Sequence, residues 1–383
     1  MAKPVSSKKS AAKRVAVKKS ANPPAASAIE PVTLAQARIL AGGLTSNASF
    51  RKIKRITAST QSSPASAPSV SSSPKTLAVA RKKHKLKQHR ERKQRMSDYK
   101  AMMKIMKSRG VQGLEAPPSL SGAGAQGIPM AFAAPQPLQV LAEGDSWFDY
   151  PAPLFGGGIV PRLEVLLGVP ILNMAKAGDE VRFMLGVEER KLLTAHLASG
   201  CPAGGAWDVL LFSGGGNDIV GNPMALWIKD YDPRLSDADH IHAARFTAAL
   251  ALVQAGYEDL IEIRNRLSPK THLVFHNYDF ALPDGRGICF MGPWLKPTFD
   301  LRGFKDMAVA AEVVRVLLQQ FAVLLQSFHQ PSNGVTVINT QGTLPAERSS
   351  WHNELHPAKS GFNQFAQMFH ATLKARFPAR VLG

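Results

Sequence analysis

The sequence predicts an α/β protein: a three-layer α/β/α arrangement around a mostly parallel five-stranded sheet, preceded by a long basic extension. Three observations carry this. From residue 137 onward, short β-rich apolar runs alternate with longer stretches of helical periodicity. Strands separated by helices form right-handed βαβ units, which place helices on both faces of a parallel sheet. Residues 1–75 are rich in Ala, Ser, Pro and Lys with almost no aromatics, a composition that buries too little apolar surface to offset chain entropy. Charge is split the same way. Residues 1–110 hold 26 Lys or Arg against 3 Asp or Glu, a net +23, whereas residues 111–383 hold 21 against 25, a net −4.

The expected strands are 138–142, 170–174, 209–212, 271–276 and 335–339. The expected helices are 181–198, 240–267, 305–328 and 361–376. In the second helix Ala243, Phe246, Leu250, Val253, Tyr257 and Leu260 recur close to a 3.6-residue period. Residues 1–110 read as a disordered basic tail. Within it Tyr99, Met102, Met103, Ile105 and Met106 follow the dense basic run 81–95 and could form a short helix over 97–108. Residues 111–136 form a Gly/Ala/Pro linker, and 137–380 the globular domain. No internal repeat is evident. There is no apolar run of about 18 residues of the kind that spans a bilayer, and no apolar h-region follows the basic N-terminus. Two cysteines, Cys201 and Cys289, give no disulfide framework, so a reducing, cytoplasmic setting is expected.

Gly144-Asp145-Ser146-Trp147 follows the first strand, which would present a serine at the carboxyl edge of the sheet, where chemistry collects in open α/β folds. Alone, such a tetrapeptide is an ordinary strand-to-helix turn with Asp or Ser as cap. Two later segments add to it: Ser213-Gly214-Gly215-Gly216-Asn217-Asp218 and Asn353-Glu354-Leu355-His356-Pro357. With Gly178 between them, the set reads Gly144-Asp145-Ser146, Gly178, Gly215-Gly216-Asn217-Asp218 and Asn353-x-x-His356. In that chain order it resembles the SGNH (GDSL-type) hydrolases over roughly residues 136–380. The resemblance implies a flavodoxin-like strand order 2-1-3-4-5. It departs at one place: the acid position holds Asn353 rather than Asp.

A serine hydroxyl is a poor nucleophile at neutral pH and needs a neighbouring base. His356, after the last strand and before the last helix, is the candidate base for Ser146. The resemblance assigns the oxyanion donors to the backbone N–H of Ser146, the backbone N–H of Gly178 and the side-chain amide of Asn217. Glycine admits close approach of a carbonyl, and Asn is a donor that does not titrate. Asn353 can accept a hydrogen bond from His356 and orient it, but carries no charge to stabilise the imidazolium. Glu354, or a backbone carbonyl, is the alternative third member. Asp145 and Asp218 read as structural, capping helix starts or bonding loop N–H groups.

His352-Asn353-Glu354-Leu355-His356 lacks the His-Glu-x-x-His order of zinc proteases, and Pro357 disfavours helix at His356, so no metal is expected. Gly156-Gly157-Gly158 lacks the Lys-Ser/Thr ending of a phosphate loop and reads as a flexible loop near the site. No Gly-x-Ser-x-Gly elbow surrounds Ser146. Trp147, Phe148, Tyr150, Phe155, Tyr278, Phe280, Trp294 and Trp351 fall near the same edge, as core packing or as an apolar pocket.

These residues are expected to serve ester hydrolysis without a cofactor, on a small-molecule ester substrate. Two alternatives stand beside this: a catalytically degenerate SGNH domain on a polyanion-binding tail, and an acyltransferase using the same site. The basic runs 8–14 and 81–95 suit phosphate backbones by counterion release, so non-specific nucleic acid or another polyanion is the expected partner of the tail.

Overall fold

A computed structural model describes residues 30–42, 74–114, 136–150, 157–288 and 292–382; over 74–88 it gives the helical path alone. Phe155 and Cys289 lie outside these residues. The sheet has five parallel strands in the order β2-β1-β3-β4-β5. They are β1 (Val140–Gly144), β2 (Ile171–Asn173), β3 (Val209–Ser213), β4 (His272–His276) and β5 (Val335–Ile338). The order is the one the resemblance implied. Central strands covered on both faces read as continuous apolar runs, and β1, β3 and β4 are buried throughout. Register aligns Val140 with Ile171 and Val209, and Gly144 with Ser213, so Ser146 and Ser213 emerge at one edge.

The crossovers explain the layers. The chain steps from β1 to β2 in one direction and then from β2 through β3 and β4 to β5 in the other. Right-handed connections therefore put α3 (Ile159–Leu167) on one face and α5 (Val187–Ser199), α7 (Ala243–Leu267) and α9 (Met307–Gln326) on the opposite one. The last helix, α10 (Lys359–Arg376), packs on α3. By length and composition α9 could cross a membrane, with a mean hydropathy of 1.7. Here its stripe of Val313, Val314, Leu317, Leu318, Phe321 and Leu325 is buried in the core.

Two helical expectations are adjusted. The stretch 181–198 is two helices, α4 (Val181–Met184) and α5, separated at Leu185-Gly186. Helix α3 was not foreseen, because Pro161 sits inside it. Pro161 is the third helical residue, where its missing N–H would have had no intrahelical partner.

The larger correction concerns the extension. In place of a short helix over 97–108 in a separate tail, helix α2 spans Pro74–Arg109. Its C-terminal part is packed on the domain, within one compact unit covering Pro31–Gly383. Tyr99 is 1% exposed, and its ring lies 5.7 Å from that of Trp207. Met102, Met103 and Met106 are buried beside it. Tyr99, Met102, Met103 and Met106 follow an i, i+3, i+4, i+7 spacing, a helical stripe that the surrounding Lys and Arg mask in composition. Burying each such side chain stabilises by roughly 1.5–3 kcal/mol. Helix α1 (Leu34–Gly42) packs on α2, and Val32 bridges Val111. Helix α2 also contacts β2, the edge strand, and so covers an edge that would otherwise invite pairing with another chain. The boundary expected at residue 137 is thus too late.

Candidate active site

The turn after β1 is built by close approach. A Cβ on Gly144 would stand 2.6 Å from the Ser213 carbonyl oxygen, so only glycine lets β1 run this tightly against β3. Asp145 N–H donates to that same carbonyl at 3.0 Å. Asp145 Oδ1 accepts the Trp147 N–H at 2.9 Å, closing the turn around Ser146.

Ser146 is 9% exposed, and its Oγ lies 2.7 Å from His356 Nε2. His356 Nδ1 lies 2.9 Å from Asn353 Oδ1. The proton positions follow from the partners. Asn353 Oδ1 also accepts the backbone N–H groups of Leu355 and His356, each at 3.0 Å, so it is the acceptor for His356 Nδ1–H as well. That leaves the lone pair on Nε2, facing the Ser146 hydroxyl. Asn353 Nδ2 donates to Tyr150 Oη at 3.1 Å, and Tyr150 Oη meets His352 Nδ1 at 2.6 Å. His352 therefore turns toward Tyr150, not toward His356. The His356 ring is sandwiched: Tyr150 lies over it at 4.4 Å, and Trp294 meets it edge-on at 5.8 Å. Burial, with a smaller push from His352, lowers its pKa to about 3.

Glu354 faces away. Its carboxylate is fully buried and accepts four backbone N–H groups, from Gly285 (2.9 Å), Trp294 (2.5 Å), Leu295 (2.7 Å) and Lys296 (3.0 Å). It holds Gly285 and the 294–296 segment that carries Trp294 and opens α8 (Lys296–Leu301). The alternative in which Glu354 serves as third member is corrected on this ground: Asn353 occupies the position beside His356.

Asn217 sits in the short helix α6 (Gly216–Ile219) that follows β3, and its Nδ2 donates to the Asp179 carbonyl at 2.8 Å. Gly178 lies in the turn after β2 with φ +80°, and a side chain there would meet open space. Backbone conformation, not crowding, is what calls for glycine at this position. Lys176 N–H, two residues earlier, donates to the Gly144 carbonyl at 2.8 Å and ties this turn to β1. Among the described residues, the N–H groups of Ser146 and Gly178 have no protein acceptor. Asp218 accepts the Val181 N–H at 2.9 Å.

Ser146, Asn217 and His356 line one pocket, together with Trp147, Val220, Tyr278, Ala281, Leu318 and Leu355. Gly178 is not part of that lining. Of the aromatics singled out in the sequence, Trp147 and Tyr278 reach the pocket. Phe148 packs instead on His276 and Phe369.

A second polar chain lies behind the nucleophile and was not legible in the sequence. Tyr278 donates to Asp145 Oδ2 at 2.5 Å. Ser213 Oγ stands 2.9 Å from both Asp145 Oδ1 and His276 Nε2. His276 Nδ1 lies 2.7 Å from the Asn277 carbonyl. A carbonyl only accepts, so Nδ1 carries a proton. The single Ser213 proton cannot serve both Asp145 and His276, so with the carboxyl ionised and the ring neutral one of the two contacts lacks a hydrogen. Ser213 and His276 end β3 and β4 as polar residues after the apolar runs Val209–Phe212 and Leu273–Phe275, which was the available signal.

No protein-family model matches the chain, and no curated protein matches it. Solved structures do. A lipase from a goat rumen metagenome is 20% identical, with a TM-score of 0.41, over 61% of this chain and 96% of that one. An extracellular lipase from Streptomyces rimosus is 15% identical, with a TM-score of 0.35, over 61% and 99%. A salicylyl-acyltransferase from a tetracycline biosynthetic pathway is 12% identical, with a TM-score of 0.34, over 64% and 56%.

Proposed function

We propose that this chain is a serine hydrolase acting on carboxylic esters, of the SGNH type that its four sequence blocks resemble. The observation that carries the reading is the Ser146 Oγ–His356 Nε2 contact of 2.7 Å, with the ring held through its other nitrogen by Asn353. Ser146 Oγ attacks the acyl carbon as His356 Nε2 takes its proton. The oxyanion forms against the N–H groups of Ser146 and Gly178 and the amide of Asn217, donors worth a few kcal/mol each in such sites. The ester C–O bond breaks, and His356 returns the proton to the leaving alkoxide. Water, deprotonated by the same nitrogen, then attacks the acyl-enzyme and releases the acid. The base is weak. Burial opposes the imidazolium, and Asn353 orients the ring without adding charge, so turnover should be modest.

The intact Ser–His contact speaks against a degenerate site. The polyanion reading of the extension rests on its charge alone. A chain-length series of p-nitrophenyl esters, with fluorophosphonate labelling of Ser146, tests the proposal. Ester turnover and labelling that both vanish in Ser146→Ala support it. Turnover within about tenfold of the parent chain in that variant, or a parent chain that neither labels nor hydrolyses, overturns it.

A further inference from the structure

The basic extension reaches the site through Arg92. This residue is 8% exposed, and every guanidinium nitrogen is used. Nε donates to the Met174 carbonyl at 2.7 Å. Nη1 pairs with Glu189 at 2.5 Å, and Nη2 with Glu143 Oε2 at 3.3 Å. Glu143 directly precedes Gly144-Asp145-Ser146, and its Oε1 accepts the Gly144 N–H at 3.0 Å. Burial pushes the Glu143 carboxyl up to about 8, with Arg92 pulling the other way. Arg92 is thus the cation that faces a buried acid at the root of the nucleophile turn.

The other two contacts lead to the other proposed oxyanion donors. Met174 lies four residues before Gly178. Arg95, one helical turn from Arg92, donates to the Ala175 carbonyl at 3.2 Å and pairs with Asp149. Glu189 also holds Lys176 Nζ at 2.8 Å, and Lys176 pairs with Asp179 at 3.0 Å. The Asp179 carbonyl in turn receives the Asn217 amide. The segments bearing Ser146, Gly178 and Asn217 therefore converge on one ion network seeded from α2.

We infer that Arg92 is a positioning residue for the oxyanion donors, so the basic extension is part of the hydrolytic machinery; this rests on the hydrolase reading above. Anchoring alone would not require it. The Tyr99/Met103/Met106 stripe already fastens α2 by apolar burial, whereas a buried ion pair seldom stabilises more than apolar packing would. What a forked guanidinium adds is fixed geometry at several acceptors at once.

The test uses the full chain with the substitutions Arg92→Gln, Arg92→Lys and Glu189→Gln. Met106→Ala serves as a variant that loosens the same helix away from the network. Thermal melting reports the fold, and p-nitrophenyl ester kinetics separate kcat from KM. Arg92→Gln should lower kcat by about ten- to a hundredfold with KM nearly unchanged, the signature of misplaced transition-state contacts. Arg92→Lys, which keeps the charge and loses the fork, should recover part of the loss. Met106→Ala should lower the melting temperature and leave kcat alone. A folded Arg92→Gln chain with kcat within about twofold of the parent, or one no slower than Met106→Ala, overturns the inference. Should Arg92→Gln fail to fold, Glu189→Gln decides, because it leaves the Arg92–Glu143 pair in place. A drop in kcat supports the inference, and an unchanged kcat overturns it. A parent chain with no esterase activity overturns the hydrolase reading and this inference together, whereas an active parent with unaffected variants overturns the inference alone.

Discussion

The carboxamide oxygen of Asn353 accepts the Nδ1–H of His356 at 2.9 Å while also accepting two backbone N–H groups at 3.0 Å. One neutral oxygen thereby shapes the loop and orients the ring. A carboxylate would do the same and would also stabilise the protonated ring.

Asn353→Asp should therefore raise the pKa of His356 from its burial-depressed value of about 3. The acid limb of kcat/KM, which reports the base of the free enzyme, should move to higher pH. The parent chain should hold its rate well below the ordinary histidine range. Kinetics from pH 4 to 8 check this; an acid limb that stays in place would falsify the orienting role. The second carboxylate oxygen would replace Nδ2, and Tyr150 would then donate to it. Asn353→Ala should cost less than His356→Ala, since water or a rotated ring can replace orientation but nothing nearby replaces the base.

Glu354→Gln should act on stability, not on chemistry. Its carboxylate answers four backbone donors without facing His356. A glutamine amide would turn a donor toward donors, at a cost of about 1–3 kcal/mol. Denaturant unfolding should show that loss, while the pH–rate profile of the folded fraction keeps its shape. A shifted profile would instead make Glu354 part of the base.

The titration of Asp145 within the Asp145–Ser213–His276 chain has a sign that can be measured. Burial raises the Asp145 carboxyl to about 6, with hydrogen bonds from Tyr278, Trp147 and Ser213 opposing it. A carboxyl whose folded pKa exceeds its unfolded value contributes stability that is full below about pH 4 and lost as pH rises through about 6. Asp145→Asn removes that dependence. The stability of the parent chain relative to this variant should thus fall by roughly 2–3 kcal/mol between pH 4 and 7, read by urea unfolding. A flat difference would show that the Asp145 carboxyl does not titrate in this range and that burial does not raise its pKa.

The strands and the chemistry were readable because each has a local signature. Apolar runs bounded by Gly mark β1 and β3, and Ser146, Asn217 and His356 stand in short blocks whose order places them at one sheet edge. Asn353 was readable as a position but not as a loop builder, because its bonds to Leu355 and His356 need the turn to exist first. The role of Glu354 depends on Gly285 and Trp294–Lys296, some sixty residues away, and no local pattern carries it. Helix α2 was misjudged for the opposite reason. Its Lys and Arg dominate composition, while Arg92 finds its acids only after β1 and α5 have folded beside it.

The last prediction follows from that helix. A chain beginning near residue 130 would keep all four hydrolase blocks yet lose α1 and α2. It would expose Trp207 and Cys201 where Tyr99 now packs, uncover the β2 edge, and leave Glu143 buried without Arg92. An unpaired buried carboxylate must take up a proton or be hydrated, at a cost of several kcal/mol. That chain should be poorly soluble or melt well below the full chain, and hydrolyse esters weakly. A chain beginning at residue 30 retains α1 and α2 with Arg92, Arg95 and Tyr99, and should keep both stability and rate. Melting temperature and p-nitrophenyl ester turnover on the two truncations separate the cases. Equal stability and equal turnover in both would show that α2 rests on the domain without supporting it.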